Sequence, residues 1–231
     1  MVIPLHDDNP TTTKARVTVA IMIACTVVYA FQYFLLSRQG EVDFIYAFGL
    51  VPASLTTPAS DLTMIPAAIT VFTSMFVHGG FWHLIGNIWY LWIFGNNVEE
   101  AMGHVRFGIF YLLCGIGAVA AQVLPNPASE VPMVGASGAI SGVLGAYLLL
   151  YPRAKVLLGL PLGFLIVEIG RYPAMWVLAA WFVMQLVMGT FAAASNATGG
   201  IAFGAHIGGF VAGCLFVTIF KRRGVPLWRR Y

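Results

Sequence analysis

Six long runs in this sequence contain no Asp, Glu, Lys or Arg, and they restrict what the chain can fold into. Charged residues make up 9% of the 231 residues and hydrophobic residues 59%, whereas about 25% of a soluble domain is charged. Each run is close to the ~20 apolar residues that an α-helix needs to cross a bilayer. The runs are 17–36, 81–98, 107–124, 137–151, 173–194 and 204–220. The sequence therefore predicts an all-α polytopic membrane protein with six spans in a lipid bilayer.

The basic residues give these spans an orientation. With the N-terminus inside, eleven of the twelve Lys and Arg residues are cytoplasmic and only Arg38 lies outside, as expected for loops that follow the positive-inside rule. We therefore expect both termini in the cytoplasm, with an N-terminal segment at 1–16 and a basic tail at 221–231, in a bacterial cytoplasmic membrane. One domain, 1–231, accounts for the chain. The net charge of +3 is a topology signal and implies no nucleic-acid partner.

Two further apolar runs could change the number of spans. Residues 62–77 are interrupted by Pro66, and residues 156–168 are interrupted by Pro161. If only one of them crossed the bilayer, every later helix would be inverted. We interpret both as interfacial or re-entrant. The first lies in a long outer loop of about 40 residues, a length that suggests a function.

Polar residues recur near the starts of three predicted spans. His83 and Asn87 lie in the second span, Ser137 begins the fourth, and His206 lies in the sixth. All three helices enter from the outer face, so these side chains are predicted to converge at one depth. His83 and Asn87 are four residues apart, which places them on one helix face about 6 Å apart along the axis.

Small residues beside these positions predict that the fourth and sixth spans pack closely. Glycines recur at four-residue spacing in both spans, a pattern that lets two membrane helices approach. The pairs are Gly138 with Gly142, Gly204 with Gly208, and Gly209 with Gly213. The three cysteines also fall in apolar runs, and we expect buried free thiols. They are Cys25, Cys114 and Cys214.

Ser137 and His206 are a candidate nucleophile and base. A hydroxyl nucleophile needs a base, but the lysines are all predicted to be cytoplasmic and no acid lies within a span. The sequence therefore predicts a Ser-His dyad whose imidazole is oriented by packing. The available oxyanion donors are the Asn87 amide, the His83 ring N–H and the backbone N–H of Ser137.

Ser141, one turn after Ser137, is the competing nucleophile. The backbone N–H of a first helical residue has no intrahelical partner, whereas that of Ser141 is bonded back to the Ser137 carbonyl. Only Ser137 offers both a hydroxyl and a free donor. We expect the Ser141 hydroxyl to bond to its own helix or to face His206.

These motifs resemble those of the rhomboid intramembrane serine proteases. The resemblance covers about 48–220 and is carried by HGGFWHLIGN at 78–87, GASG at 135–138 and AHIGG at 205–209. It implies a six-helix fold that cleaves transmembrane protein substrates without a metal or other cofactor. It also implies that Ser137 is the nucleophile, that His206 is the base and that His83 and Asn87 form the oxyanion site. Glu99 and His78 resemble structural positions of the family, His78 as a loop anchor.

Two departures from the family pattern concern the surroundings of the site. No Trp precedes Trp82, so the Trp-Arg pair of many rhomboid first loops has no counterpart. Ser141 stands where some members carry an aromatic residue that stacks on the catalytic His. We therefore expect the support of the imidazole to differ.

Two other classes of function compete with a protease. A transporter or channel would use intramembrane His and Asn residues to bind a solute or relay protons; it would predict polar residues toward both membrane faces, whereas these cluster near the outer one. An inactive rhomboid-like protein would bind client helices, but both dyad residues are present. A metal site is disfavoured because no thiolate or carboxylate joins His78 and His83.

Overall fold

The computed structural model describes residues 2–56, 65–163, 165–194 and 202–229, most of which are helical. Six of the helices coincide with the six predicted spans and pack into one bundle. In chain order the helices are α1 (Arg16–Leu35), α2 (Arg38–Phe48), α3 (Pro52–Thr56), α4 (Ala67–Thr73), α5 (Phe81–Met102), α6 (His104–Val123), α7 (Ser137–Leu150), α8 (Ala174–Ala194) and α9 (Phe203–Phe220).

The longest apolar helices make this a multi-pass membrane protein. Four of them, α1, α6, α8 and α9, are long and apolar enough to cross a bilayer. Helix α7 is also apolar but has 14 residues, about 21 Å. Helix α5 has 22 residues and carries Glu99 and Glu100 near its end. The helical membrane fold is confirmed. That six helices cross the membrane stays a prediction.

Glycines bring α7 and α9 into backbone contact, as their spacing predicted. A Cβ placed on Gly209 would lie 1.9 Å from the carbonyl oxygen of Gly138, and one on Gly213 would lie 2.0 Å from that of Gly142. Such distances leave no room for a side chain. This contact lies beside the candidate nucleophile and base, so it sets how far apart they can be.

Helix α7 is the centre of the bundle and is buried along most of its length. Its Tyr147 packs edge to face on Phe94 of α5, with ring centroids 4.9 Å apart. On the side of α6, the Cys114 side chain fills the space that a Cβ on Gly142 would occupy. Cys25 and Cys114 are buried free thiols, as predicted, and the free Cys214 is partly exposed.

The long loop between α1 and α5 folds back on the bundle. It contains α2, α3 and α4, and Met75 after α4 fills the space beside Gly115 of α6. Gln32 of α1 accepts from the His78 N–H at 3.4 Å and donates to the His78 carbonyl at 3.3 Å, which agrees with the loop-anchoring role that we expected for His78. Part of the run 62–77 lies outside the described residues.

A three-stranded antiparallel sheet is the main departure from the all-helical expectation. Its strands are β1 (Ile3–Asp7), β2 (Lys155–Leu162) and β3 (Leu165–Pro173), in the order β1-β2-β3. Ile3 pairs with Gly159, and Leu162 pairs with Leu165. The run 156–168, which we interpreted as interfacial or re-entrant, is therefore a β-hairpin that pairs with the N-terminal segment.

The N-terminal segment also holds the predicted inner ends of the helices together. Asp7 Oδ2 accepts hydrogen bonds from Tyr147 Oη at 2.6 Å and from Asn97 Nδ2 at 3.0 Å. Glu99 accepts from the backbone N–H groups of Val17 and Thr18 at 2.9 and 2.7 Å. These are first-turn donors of α1, which otherwise lack partners. The structural role predicted for Glu99 is confirmed.

Candidate active site

Ser137 and His206 form a hydrogen bond where α7 and α9 begin. Ser137 is the first residue of α7, and His206 lies in the first turn of α9. The Ser137 Oγ and His206 Nε2 atoms are 2.8 Å apart, and both residues are half-buried. When Nε2 is unprotonated it accepts the hydroxyl proton, which is the arrangement of an activated nucleophile and its base.

Gly135 places the nucleophile next to His83. Its φ of +114° is a backbone conformation that favours glycine, and a Cβ on it would lie 2.6 Å from Cε1 and Nε2 of the His83 ring. Its N–H donates to the Ser74 carbonyl at 2.8 Å. The backbone that leads into Ser137 is therefore fixed on both sides, and the exposed His83 lies against it.

Asn87 is buried one turn after His83, facing the same loop. It is 6% exposed, and its Nδ2 would lie 3.7 Å from a Cβ on Gly135. Nδ2 donates to the His83 carbonyl of its own helix at 2.9 Å. The structure thus brings Ser137 and His206 into direct contact and places His83 and Asn87 beside the backbone that precedes Ser137.

Ser141 is engaged within its own helix. It is 1% exposed, and its Oγ donates to the Ser137 carbonyl at 2.7 Å. The first of the two placements expected for this hydroxyl is confirmed. Since its proton is already donated to a backbone oxygen, Ser141 is poorly placed to be a nucleophile.

Helix α8 supplies two contacts to His206 that the sequence analysis did not assign. Gln185 Oε1 lies 2.8 Å from His206 Nδ1, and Gln185 is 6% exposed. Trp181, one turn earlier, packs on the imidazole with ring centroids 6.0 Å apart. The aromatic contact to His206 therefore comes from α8. The position on α7 where some rhomboids carry an aromatic residue is Ser141 in this chain.

A small cavity lies beside Ser137. It leaves about 20 Å³ for the centres of water molecules, and its lining includes Ser74, Gly135 and Ser137. One water occupies about 10–15 Å³, roughly one probe sphere, which is less than the space that its centre can explore here. The cavity is therefore large enough for a single water near the hydroxyl.

Comparison with known proteins identifies the family. The rhomboid domain matches residues 66–223. RHOMBOID-like protein 1 of Arabidopsis thaliana is 30% identical over 180 residues, 75% of this chain and 41% of that protein. Rhomboid protein 1, mitochondrial, of Saccharomyces cerevisiae is 31% identical over 156 residues, 66% of this chain and 42% of that protein. Rhomboid protease GluP of Bacillus subtilis is 36% identical over 120 residues, 50% of this chain and 22% of that protein.

The chain belongs to the rhomboid family, because the family match covers more than half of it. It spans less than half the length of each of these three relatives. The family agrees with the resemblance drawn from the motifs and does not favour a transporter or channel.

Proposed function

We propose that this chain is an intramembrane serine endopeptidase that cleaves transmembrane protein substrates with the Ser137 and His206 pair. The observation that carries the proposal is the 2.8 Å contact between Ser137 Oγ and His206 Nε2, set among apolar helices. A hydroxyl and an imidazole are costly inside a membrane and are commonly functional there.

The first chemical step is acylation of Ser137. Its Oγ attacks the scissile carbonyl carbon while His206 Nε2 takes the hydroxyl proton. The tetrahedral intermediate then collapses, the C–N bond breaks, and His206 returns the proton to the leaving amine. A water, for which the cavity beside Ser137 has room, attacks the acyl-enzyme and regenerates the hydroxyl with His206 as base.

The oxyanion is stabilised by donors from two helices. The Ser137 N–H is the first of α7, where the helix dipole also favours negative charge. Asn87 Nδ2 and the His83 ring provide the other donors. Asn87 Nδ2 carries two protons. One is donated to the His83 carbonyl, and the other remains to donate to the oxyanion.

Substrates must present an extended peptide bond to this site. A transmembrane helix shields its peptide bonds through intrahelical hydrogen bonding, so cleavage requires local unwinding. We therefore propose single-span substrates with small residues at the cleaved bond and Gly or Pro further along the span.

A fluorophosphonate probe combined with two serine variants tests the proposal. The probe modifies activated serine hydroxyls, so we expect mass spectrometry to place the adduct on Ser137. Ser137→Ala should abolish both labelling and cleavage of a single-span reporter substrate. Ser141→Ala is the matched control, one turn away on the same helix, and should retain both.

The alternative results are distinct. If Ser137→Ala still cleaves the reporter, the proposed nucleophile is wrong. If the folded wild-type protein binds single-span helices but neither reacts with the fluorophosphonate nor cleaves the reporter, the chain is an inactive client-binding member of the family.

A further inference from the structure

Gln185 is a buried polar residue that contacts the candidate base and has no role in the proposed chemistry. Its Oε1 lies 2.8 Å from Nδ1 of His206, on the side of the ring opposite the nucleophile. Its burial is nearly complete, with 6% of its surface exposed. A buried amide in an apolar helix is costly unless its hydrogen bonds are made, and this contact makes one.

The contact selects one tautomer of His206. A neutral imidazole carries its proton on one ring nitrogen and accepts at the other. With Gln185 Oε1 as the acceptor, Nδ1 carries the proton and Nε2 is free to accept from Ser137 Oγ. The other tautomer would put a proton on Nε2, and His206 could not then act as a base toward Ser137.

We propose that Gln185 is a positioning residue that holds His206 in its reactive tautomer and orientation, an inference that rests on the proposed protease function. It takes the place that a carboxylate occupies in a Ser-His-Asp triad. Unlike a carboxylate, a neutral amide leaves no buried charge beside the apolar core when His206 is neutral.

The location of Gln185 links the base to the docking of α8. Among the four long apolar helices, α8 is the least buried. Its packing on α9 near the site includes Gly189, where a Cβ would lie 3.1 Å from Phe203. A shift of α8 away from α9 would remove Gln185 and Trp181 from the imidazole together. The base would then lose its orientation although Ser137 and His206 had not moved.

Few charged side chains surround His206, and this makes its pH profile informative. Helices α7, α8 and α9 contain no Asp, Glu, Lys or Arg. The charged residues of α5 and α6 lie in the last turn of α5 and the first turn of α6, at the opposite end of the bundle from Ser137. The titratable side chain that acts on His206 from α5 is His83. A carboxylate introduced at 185 would therefore be the nearest acid to the ring.

Two substitutions separate positioning from packing. Gln185→Leu removes the acceptor at similar volume, and Gln185→Glu retains an acceptor oxygen in the same place. We expect Gln185→Leu to lower the rate of Ser137 labelling by a fluorophosphonate, and kcat for the reporter, by about tenfold with KM unchanged, since one neutral hydrogen bond is lost. We expect Gln185→Glu to restore most of the rate and to move the acidic limb of the pH profile upward.

A spectroscopic measurement covers the case in which activity is hard to compare. The ¹⁵N shifts of the His206 ring report which nitrogen carries the proton. We expect protonated Nδ1 in wild type and in Gln185→Glu, and a mixture of tautomers in Gln185→Leu. Gln39→Leu is the matched control, because Gln39 is exposed on α2 and bonds to Asp43, and it should behave as wild type.

The positioning role is overturned if Gln185→Leu, shown by its melting temperature to be folded, labels at the wild-type rate with Nδ1 still protonated. It is equally overturned if Gln185→Glu has the reduced rate of Gln185→Leu and an unshifted acidic limb, because packing alone would then explain the loss. In either result, dependence on Ser137 and His206 leaves the protease proposal standing. Cleavage that survives Ser137→Ala would instead remove the protease proposal.

Discussion

Gly209→Ala tests whether the α7–α9 contact sets the reactive distance. The new Cβ would lie 1.9 Å from the Gly138 carbonyl oxygen. This atom belongs to the backbone near the start of α7, so no side-chain rotation relieves the overlap. To reach an ordinary contact distance, the helices must separate by about 1.5 Å at this level.

The consequence for the site follows from its geometry. Ser137 precedes Gly138 and His206 lies one turn before Gly209, so the separation acts directly on the 2.8 Å bond between Oγ and Nε2. An increase of ~1 Å takes this distance beyond the range of a hydrogen bond. Misplacement of this size lowers catalytic rates by about 10²-fold, and overpacking lowers the free energy of unfolding by about 1–3 kcal/mol.

The assay is reporter cleavage together with thermal unfolding in the same detergent. Gly108→Ala is the control, because a Cβ there would meet Val17 at 3.7 Å, an ordinary contact, far from the site along α6. We expect Gly209→Ala to lose about 10²-fold in rate and several degrees in melting temperature, and Gly108→Ala to retain both. Wild-type cleavage by a folded Gly209→Ala protein would refute the link between helix contact and reactive distance.

Three further predictions concern the oxyanion site, the N-terminal segment and the topology. Asn87→Ala should keep the melting temperature while kcat falls about 10²- to 10³-fold, as for loss of one oxyanion donor; unchanged kcat would make Asn87 a packing residue. Burial raises the pKa of Asp7 to about 6 from its ordinary value of 3.8, so the folded state binds more protons than the unfolded state between these values. The free energy of unfolding should therefore fall by about 3 kcal/mol as pH rises from about 4 to above 6. Chemical unfolding measured across this pH range should show the fall in wild type and not in Asp7→Asn. In a protein without native cysteines, a cysteine at Glu130 should react with an impermeant thiol reagent from outside and one at Arg153 should not; outside labelling at Arg153 would contradict the orientation. A cysteine at Ser195, also predicted to react from outside, lies beyond the described residues.

The sheet shows where sequence patterns were insufficient. Residues 156–168 form an apolar run too short for a span, and periodicity alone does not distinguish a short buried strand from a re-entrant helix. The strand that completes the sheet, β1, lies about 150 residues earlier in the chain. Nothing local to either segment signals that pairing. The six apolar helices, by contrast, could be predicted because length and absence of charge act within each helix.

Sequence patterns predicted those candidate site residues that are recognisable from spacing or position within a single helix. His83 and Asn87 were placed on one face by their four-residue spacing, and Ser137 was preferred to Ser141 from the backbone hydrogen bonding of a first helical turn. The same spacing relates Trp181 to Gln185, the pair on α8 that contacts His206. That pair carried no motif, and the rotation of α8 about its axis is fixed by packing, which the sequence of an almost uniformly apolar helix does not specify.

Orientation of the imidazole is therefore a property of the assembled bundle. The sequence showed that no acid was available within a span, and from that we expected packing alone to orient His206. The structure adds a neutral acceptor, Gln185, at the nitrogen that a carboxylate would otherwise hold. In an apolar surrounding a neutral acceptor avoids the desolvation cost of a buried charge. A neutral acceptor also forms a weaker hydrogen bond than a carboxylate to the imidazolium that forms during attack. For this reason Gln185→Glu is expected to change the pH profile as well as the rate.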